Sequence, residues 1–509
     1  MKSSAARTGR LTNTHFSLLP VALAALLAGC GGGGGGSTTA TPVTTTPSTP
    51  AVTASYTASQ NVCAAPRTGV DPFTGKAYPD KQGTLTDERT FLRGWIDQYY
   101  LWNKEVPDVN PLNYSTAIDY FNALKTPLLS ASGQPKDKYH FTYTTADWNA
   151  LSVQGVELGY GINWSRNTGA NLPRTWIASV VEPGSPAASA GLRRGDRLST
   201  VDGVDFVNGA DAAAVDKINA GLFPDTANQI HRLTLDRNGV TVEVTLTAVA
   251  VTSAPVKNTK TIDTPTGKVG YLTFDNHNEV SERALIDSIT QLKTAGVTDL
   301  VLDVRYNGGG LLFIASELAY MIAGSAQTAG KTFEKPIYND RFAAQAPYPF
   351  RATAYGFQPT VPAGTALPTL NLKRVTLLTT ADTCSASESI INSLRGVDVE
   401  VNLIGGQTCG KPYAFTPVDN CGTTYFAIQF QGVNNKGFGD YSDGFAPTCA
   451  VSDDFQHAVG DTSEGMLAAA LSYRASGVCP AASRSTAATP APLEMVRPYV
   501  SGLSILRAR

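Results

Sequence analysis

Residues 374–411 restrict the possible folds more than any other stretch. Arg374–Thr380 (RVTLLTT) is an apolar, β-branched run of strand length. From Thr383 the chain continues T-C-S-A-S-E-S-I-I-N-S-L-R-G, with Ile390, Ile391 and Leu394 at helical spacing. V-D-V-E-V-N-L-I-G-G and then Q-T-C-G-K follow. The order is strand, sharp turn, helix, strand, with Ser385 at the turn and Lys411 at the end of the second strand. The same alternation begins earlier. Val269–Phe274 reads as a strand, Val280–Ala295 as an amphipathic helix stopped by Gly296, and Thr298–Val304 (TDLVLDV) as an apolar strand of the kind buried on both faces of a sheet. This β-α-β pattern predicts a mixed α/β core.

The turn places the Ser385 hydroxyl at a helix N-terminus, where backbone N–H groups stand free to hold an oxyanion. Lys411 comes from a glycine-flanked stretch (Gly405, Gly406, Gly410) that lets it reach that hydroxyl. A Ser/Lys pair performs acyl transfer only with a neutral lysine, so its ordinary pKa of ~10.4 must fall through burial. Leu403, Ile404, Pro412, Tyr413 and Phe415 are the candidate lining. A structural reading of the same residues stands beside this one: Ser385-x-x-Glu388 ahead of an apolar run is a capping box. The strand 298–304 runs into Arg305-Tyr-Asn-Gly-Gly-Gly310 and a helix from Leu311, a turn that lets backbone approach a ligand closely. It carries neither G-x-G-x-x-G nor G-K-[ST], which argues against a nucleotide loop.

S-A-S-E followed by G-K resembles the active-site signature of the carboxy-terminal-processing (tail-specific) serine proteases. The resemblance implies that Ser385 is the nucleophile and Lys411 the general base. Asp303-Val-Arg305-Tyr-Asn307-Gly-Gly309-Gly310 resembles the family's D-L-R-x-N-x-G-G, which implies an oxyanion hole made by the N–H groups of Ala386 and of Gly309 or Gly310. Two departures stand out: Phe415 replaces the family's Gln four residues after the lysine, and Gly308 replaces the Pro before the double glycine. Gly184-Ser-Pro-Ala-Ala-Ser-Ala-Gly-Leu-Arg-Arg-Gly-Asp-Arg-Leu resembles the PDZ domains of bacterial proteases. By that resemblance Gly159-Tyr160-Gly161-Ile162 is the loop that binds a peptide's C-terminal carboxylate, the peptide adding as a strand to the sheet edge.

At the N-terminus, Lys2, Arg7 and Arg10 precede the apolar stretch Phe16–Ala28, a signal-peptide pattern. Leu27-Ala28-Gly29-Cys30 resembles the bacterial lipobox and implies lipidation of Cys30, with Gly31 after it resembling outer-membrane sorting. The following Gly/Thr/Pro-rich stretch is a flexible tether. Six further cysteines in an exported chain imply up to three disulfides. Cys384–Cys409 is one possible bridge, and Cys409–Cys421 its rival. No C-x-x-C pair exists, so neither metal nor other cofactor is expected. Phe91, Leu92, Trp95, Ile96, Tyr99 and Trp102 form an aromatic helical stripe after a Thr86 cap, and Ala117–Leu124 a second amphipathic run. Charged residues make up 16% of the chain with a formal net charge of −2 and no basic stripe, which speaks against nucleic acid.

The expected architecture is multidomain α/β: a lipoprotein signal peptide (1–29), a tether (30–59), a small N-terminal helical domain (60–150), a PDZ-like β-rich domain (151–252), a mixed α/β serine protease core (253–479) and a low-complexity tail (480–509). The expected partners are protein or peptide substrates taken by their C-termini, and the membrane through the lipid; oligomeric state is not legible. Two other functions fit parts of the sequence. One is a Ser-His hydrolase using His140, His231, His277 or His457. The other is a non-catalytic PDZ scaffold with a degenerate protease core. Cys421–Phe445 is expected to shape the substrate groove.

Overall fold

The structure, a computed structural model, describes residues 56–167, 172–480 and 493–496. The expected signal peptide, the lipidated Cys30 and most of the tether lie outside these residues. The end of the tether is a correction: Tyr56–Ser59 form a 3-10 turn, and the Tyr56 ring packs on Phe91 and Tyr99.

The N-terminal layer is led by helix α1 (Leu85–Tyr99). Its cap is Thr84, two residues before the expected Thr86, because the Asp87 carboxylate returns to both the Thr84 N–H and hydroxyl. Phe91, Leu92, Trp95 and Ile96 are buried, so the aromatic stripe is core. Helix α2 (Ala117–Ala123) is capped by the Thr116 hydroxyl, and strand β1 (Phe141–Thr144) closes the layer. Its core includes Tyr425, Ala427 and Ile428 from far along the chain, and Cys63 is bonded to Cys421. The layer therefore does not bury its apolar face by itself, and the 421–428 stretch serves as its other half rather than as a groove wall alone.

The PDZ-like layer follows with β2 (Val156–Gly159), β3 (Ile162–Arg166), β4 (Trp176–Val181), β5 (Arg197–Val201), helix α3 (Ala212–Leu222), β6 (Ile230–Arg237), β7 (Val240–Thr247) and β8 (Val249–Thr252). The sheet order is β7-β6-β5-β4-β3, all antiparallel, while β2 pairs with β8. Trp164, Trp176, Ile218, Leu233 and Leu246 fill its separate core.

The third layer is centred on a six-stranded sheet. It is built from β9 (Val256–Thr264), β10 (Gly267–Phe274), helix α4 (Ser281–Ala295), β11 (Asp299–Asp303), helix α5 (Leu312–Ala323), β12 (Thr332–Tyr338), β13 (Arg374–Thr379), helix α6 (Ala386–Gly396), β14 (Glu400–Gly405), β15 (Thr423–Phe426), β16 (Phe430–Val433), β17 (Cys449–Ala450) and helix α7 (Gly465–Ser476). The order is β9-β10-β11-β13-β14-β17, antiparallel at the first pair and parallel thereafter. Strand alternation assigns each side chain to a face. Leu272, Phe274, Leu300, Leu302, Val375 and Leu377 meet α4, α5 and α6 on one side, whereas Val269, Tyr271, Val301, Leu378 and Ile404 meet α7 on the other. Both faces are covered, as an apolar strand like 299–303 requires. β12 and β16 pair in a smaller sheet, and β15 pairs with β1, joining the first layer to the last.

The third disulfide, Cys449–Cys479, ties β17 to the end of α7. The region expected to be a low-complexity tail holds one further strand, β18 (Glu494–Met495), paired with β3. Its ladder partners are more than 300 residues away, so no local pattern announces it. No helix among the described residues is long and apolar enough to cross a membrane.

Candidate active site

Three adjacent parallel strands, β11, β13 and β14, end at the same edge, and the turn after each carries one part of the candidate site. Ligands of open α/β sheets bind at this carboxyl edge. The turn after β13 presents Ser385 immediately before α6, with φ 56° and ψ −117°. A non-glycine residue in this region is strained by about 1–3 kcal/mol, and such strain persists only where surrounding contacts impose it. Here they do. The N–H of Cys384 and the Ser387 hydroxyl both donate to the Asn307 carbonyl, at 3.0 and 3.1 Å, and the Thr383 hydroxyl donates to Val304 O at 2.9 Å.

The turn after β11 is packed directly against this one. A side-chain carbon at Gly309 would lie 2.8 Å from Ser385 Cβ and 3.0 Å from Ala386 N, so only glycine fits. The Gly309 N–H is engaged, donating to Asn307 Oδ1 at 2.9 Å. The N–H groups of Gly310 and Ala386 donate to no acceptor among the described residues. Of the two glycines suggested by the sequence, Gly310 is the one with an amide to spare. Asn307 organises the loop: its Nδ2 donates to Phe274 O, and its Oδ1 also meets His277 Nδ1.

Lys411 follows β14 and is 7% exposed. Its Nζ lies 3.9 Å from the centre of the Phe415 ring and 5.0 Å from that of Tyr139. The expected cover by Leu403 and Ile404 is not found, since these two belong to the cores on opposite faces of the sheet. Phe415, which belongs to the expected lining and is also the departure from the family pattern, does lie under the lysine nitrogen. Tyr139 comes from the N-terminal layer, where no local signal marks it, and its hydroxyl donates to Gly410 O at 3.1 Å. Burial and the nearby Glu388 raise the Tyr139 pKa, which keeps it a neutral donor. Aromatic faces attract an ammonium by about 0.5–2 kcal/mol.

Glu388 ties the two halves together. Its buried carboxylate accepts from Ser385 N (3.0 Å) and Lys411 N (2.8 Å) on one oxygen, and from Thr408 Oγ1 (2.6 Å) and Gly410 N (2.9 Å) on the other. The capping box is thus present, and the same carboxylate also grips the lysine segment. Burial pushes its pKa up, against hydrogen bonds that favour the ionised form. Cys384 and Cys409 are joined by a disulfide, so the rival Cys409–Cys421 bridge is not formed. Cys384, Glu388 and Cys409 lie within metal-ligand distance of one another. However, the sulfurs are spent on each other and the carboxylate is filled by donors, so these residues do not fit a metal.

The four candidate histidines stand elsewhere. His140 Nε2 bonds Phe121 O, while His231 and His457 pair with Asp202 and Asp454. His277 has no exposed surface and supports the Asn307 loop, and burial lowers its pKa to about 3. None hydrogen-bonds Ser385 among the described residues. Gly159, Tyr160, Gly161 and Ile162 form the turn between β2 and β3 and line a groove with Trp164, Leu222 and Phe223. The N–H groups of Tyr160 and Gly161 donate to no acceptor among the described residues.

Three known families match the chain in order: the Peptidase S41 N-terminal domain over residues 87–143, a PDZ domain over 177–218 and Peptidase family S41 over 268–448. Among curated proteins, the carboxyl-terminal-processing protease of Picosynechococcus is 33% identical over 173 residues, which is 33% of this chain and 39% of that protein. The chloroplastic C-terminal processing peptidase of Tetradesmus obliquus is 29% identical over 188 residues, 34% of this chain and 38% of that protein. The match spans under two fifths of each of these relatives. A solved structure assigned to the S41 proteases, from Bacteroides fragilis, superposes with a TM-score of 0.59 at 23% identity, covering 79% of this chain and 98% of that one. That likeness establishes the fold.

Proposed function

The chain belongs to peptidase family S41, and from that premise we propose that it is a serine endopeptidase of the C-terminal-processing type, working through Ser385 and Lys411. The observation that carries this reading is the Glu388 carboxylate, which holds the N–H of Ser385 and the N–H of Lys411 on one oxygen. In the proposed cycle Ser385 Oγ attacks the scissile carbonyl while neutral Lys411 takes the hydroxyl proton. The oxyanion is held by the N–H groups of Ala386 and Gly310. The lysine ammonium then returns the proton to the leaving amine, and with the lysine neutral again a water repeats the sequence on the acyl-enzyme. Substrate proteins are held by their C-termini at Gly159–Ile162, their last residues lying along β3.

Localisation is proposed on the sequence together with the three disulfides, which belong in an oxidising compartment. The chain is exported by its signal peptide, lipidated at Cys30 and held at the outer membrane facing the periplasm. Release of a Cys30→Ala protein into the soluble periplasmic fraction is expected, and its retention in the membrane would refute the anchor.

The activity is tested with protein lacking residues 1–30, given an unfolded substrate with an apolar C-terminus and followed by mass spectrometry. Wild type should cleave, and Ser385→Ala and Lys411→Ala should not. Cleavage by the lysine variant would place the base elsewhere. Peptide binding without cleavage by wild type would mean a scaffold.

A further inference from the structure

Nothing in the proposed chemistry calls for β18, yet it occupies a telling place. It pairs antiparallel with β3, Glu494 opposite Arg166 and Met495 opposite Ser165. The Val496 N–H donates to Trp164 O at 2.8 Å. β3 is otherwise the edge of the PDZ-like sheet. The segment runs from Arg166 towards the Gly159–Ile162 turn, the direction a captured C-terminus would take along the same edge. Val496 is 6% exposed, packs into the PDZ-like core and lines the same groove as that turn. It fills space that an apolar ligand side chain would fill.

A second contact reaches the catalytic layer. The Met495 N–H, directed away from β3, is shared between the two oxygens of Asp382 at 3.0 and 3.1 Å. Asp382 is 8% exposed and stands three residues before Ser385, in the turn between β13 and α6. One short segment therefore touches the groove and the nucleophile turn together.

We propose that residues 493–496 are a tethered occupant of the PDZ-like groove, which a substrate C-terminus must displace before capture, and that Asp382 links the groove's occupancy to the Ser385 turn. The proposal rests on the reading of the groove as a capture site. A segment on the same chain competes at an effective concentration of about millimolar order, enough to mask an exposed edge against dilute peptides. Its hold is limited, because the ladder is only two residues long. Arg497 follows Val496, so the segment brings no carboxylate to the turn. The free amides of Tyr160 and Gly161 are left for a ligand that does.

The test compares protein lacking residues 1–30 with the same protein ending at residue 492 and with a full-tailed Val496→Asp variant. Hydrogen exchange of the 162–166 amides reports whether the edge is covered. Binding of a dye-labelled decapeptide with an apolar C-terminus reports competition. In both altered proteins the 162–166 amides should exchange about tenfold faster or more, and the decapeptide should bind about tenfold tighter or more, the size expected when a tethered competitor is removed. Added peptide of the 490–500 sequence should restore protection to the shortened chain. Unchanged exchange would overturn the seat of the tail, whatever the decapeptide does. Faster exchange with unchanged decapeptide affinity would overturn its role as competitor. Faster exchange with no decapeptide bound by any form would instead overturn the capture reading underneath, and the competitor role with it.

Discussion

At Glu388 one carboxylate meets donors from both ends of the catalytic segment, and its chemistry there has no easy substitute. Four donors point at two oxygens. Glutamine offers one oxygen and an amide nitrogen, so two of the donors would face another N–H. Glu388→Gln is therefore expected to lower kcat by about 10²-fold with little change in KM, the scale of a misplacement of about 1 Å at a reacting centre. Steady-state kinetics on a short peptide checks this. Unchanged kcat with only a lower Tm would reduce Glu388 to a helix cap. The sequence revealed half of this residue's role. The spacing from Ser385 to Glu388 is local and visible as a capping box, whereas Thr408, Gly410 and Lys411 lie 20 to 23 residues on and meet it only through the fold. Phe415 was legible both as a departure from a pattern and as part of the lining of Lys411, because it lies only four residues along the chain. Tyr139 was not legible at all, because it comes from another layer.

Between elements, the contact that matters is made by Arg194, in the turn before β5. Its guanidinium donates to Ser179 O within the PDZ-like layer, and across to Tyr306 Oη at 2.7 Å and Asp453 Oδ1 at 2.7 Å in the core. Tyr306 is also bonded to Asp453 and sits between Arg305 and Asn307, at the start of the glycine loop. Arg305 is itself buried against Asp303, Asp453 and Glu464. Removing one member of such a buried cluster costs about 3–5 kcal/mol, because the others are left without compensation. Arg194→Met should thus lower the Tm, and it should also lower kcat for a peptide too short to reach the PDZ-like groove, since Tyr306 loses one of the two partners that hold it beside the loop. A fall in Tm with normal kcat on that peptide would mean the contact merely holds two layers together. The elements themselves were legible. Strands 269–274, 298–304 and 374–380 and the helices after them have strong periodicity, and their observed bounds differ by a residue or two. What pairs with what across the layers, as β1 with β15 or β18 with β3, depends on contacts hundreds of residues apart and left no periodic trace.

For the molecule as a whole, the sequence supplied the order of the layers but not how acid and base inventories are distributed among them, and stability against pH follows from that distribution. Glu282 and Glu317, on α4 and α5, are buried side by side. Glu282 accepts from the N–H groups of Gly356 and Phe357, and Glu317 Oε1 from Tyr355 N, so the pair secures the 355–357 loop. Glu317 Oε2 has no donor to accept from among the described residues. A proton there turns repulsion from Glu282 into a hydrogen bond. Burial, followed by the charge of Glu282, accordingly raises the Glu317 pKa from 4.5 to about 8. Between those values the folded protein holds a proton that the unfolded chain has lost. The contribution to stability is complete below the lower value and is lost as pH rises towards the upper one, at about 1.4 kcal/mol per pH unit. Glutamine at this position keeps a neutral donor at any pH. Chemical denaturation of wild type and Glu317→Gln at pH 5, 6.5 and 8 isolates the effect, because every other titrating group is common to both. Relative to wild type, the variant should gain stability progressively up to pH 8 and no further beyond it. A difference independent of pH would show that Glu317 is ionised in the folded protein and that the 355–357 loop is held by two charged carboxylates.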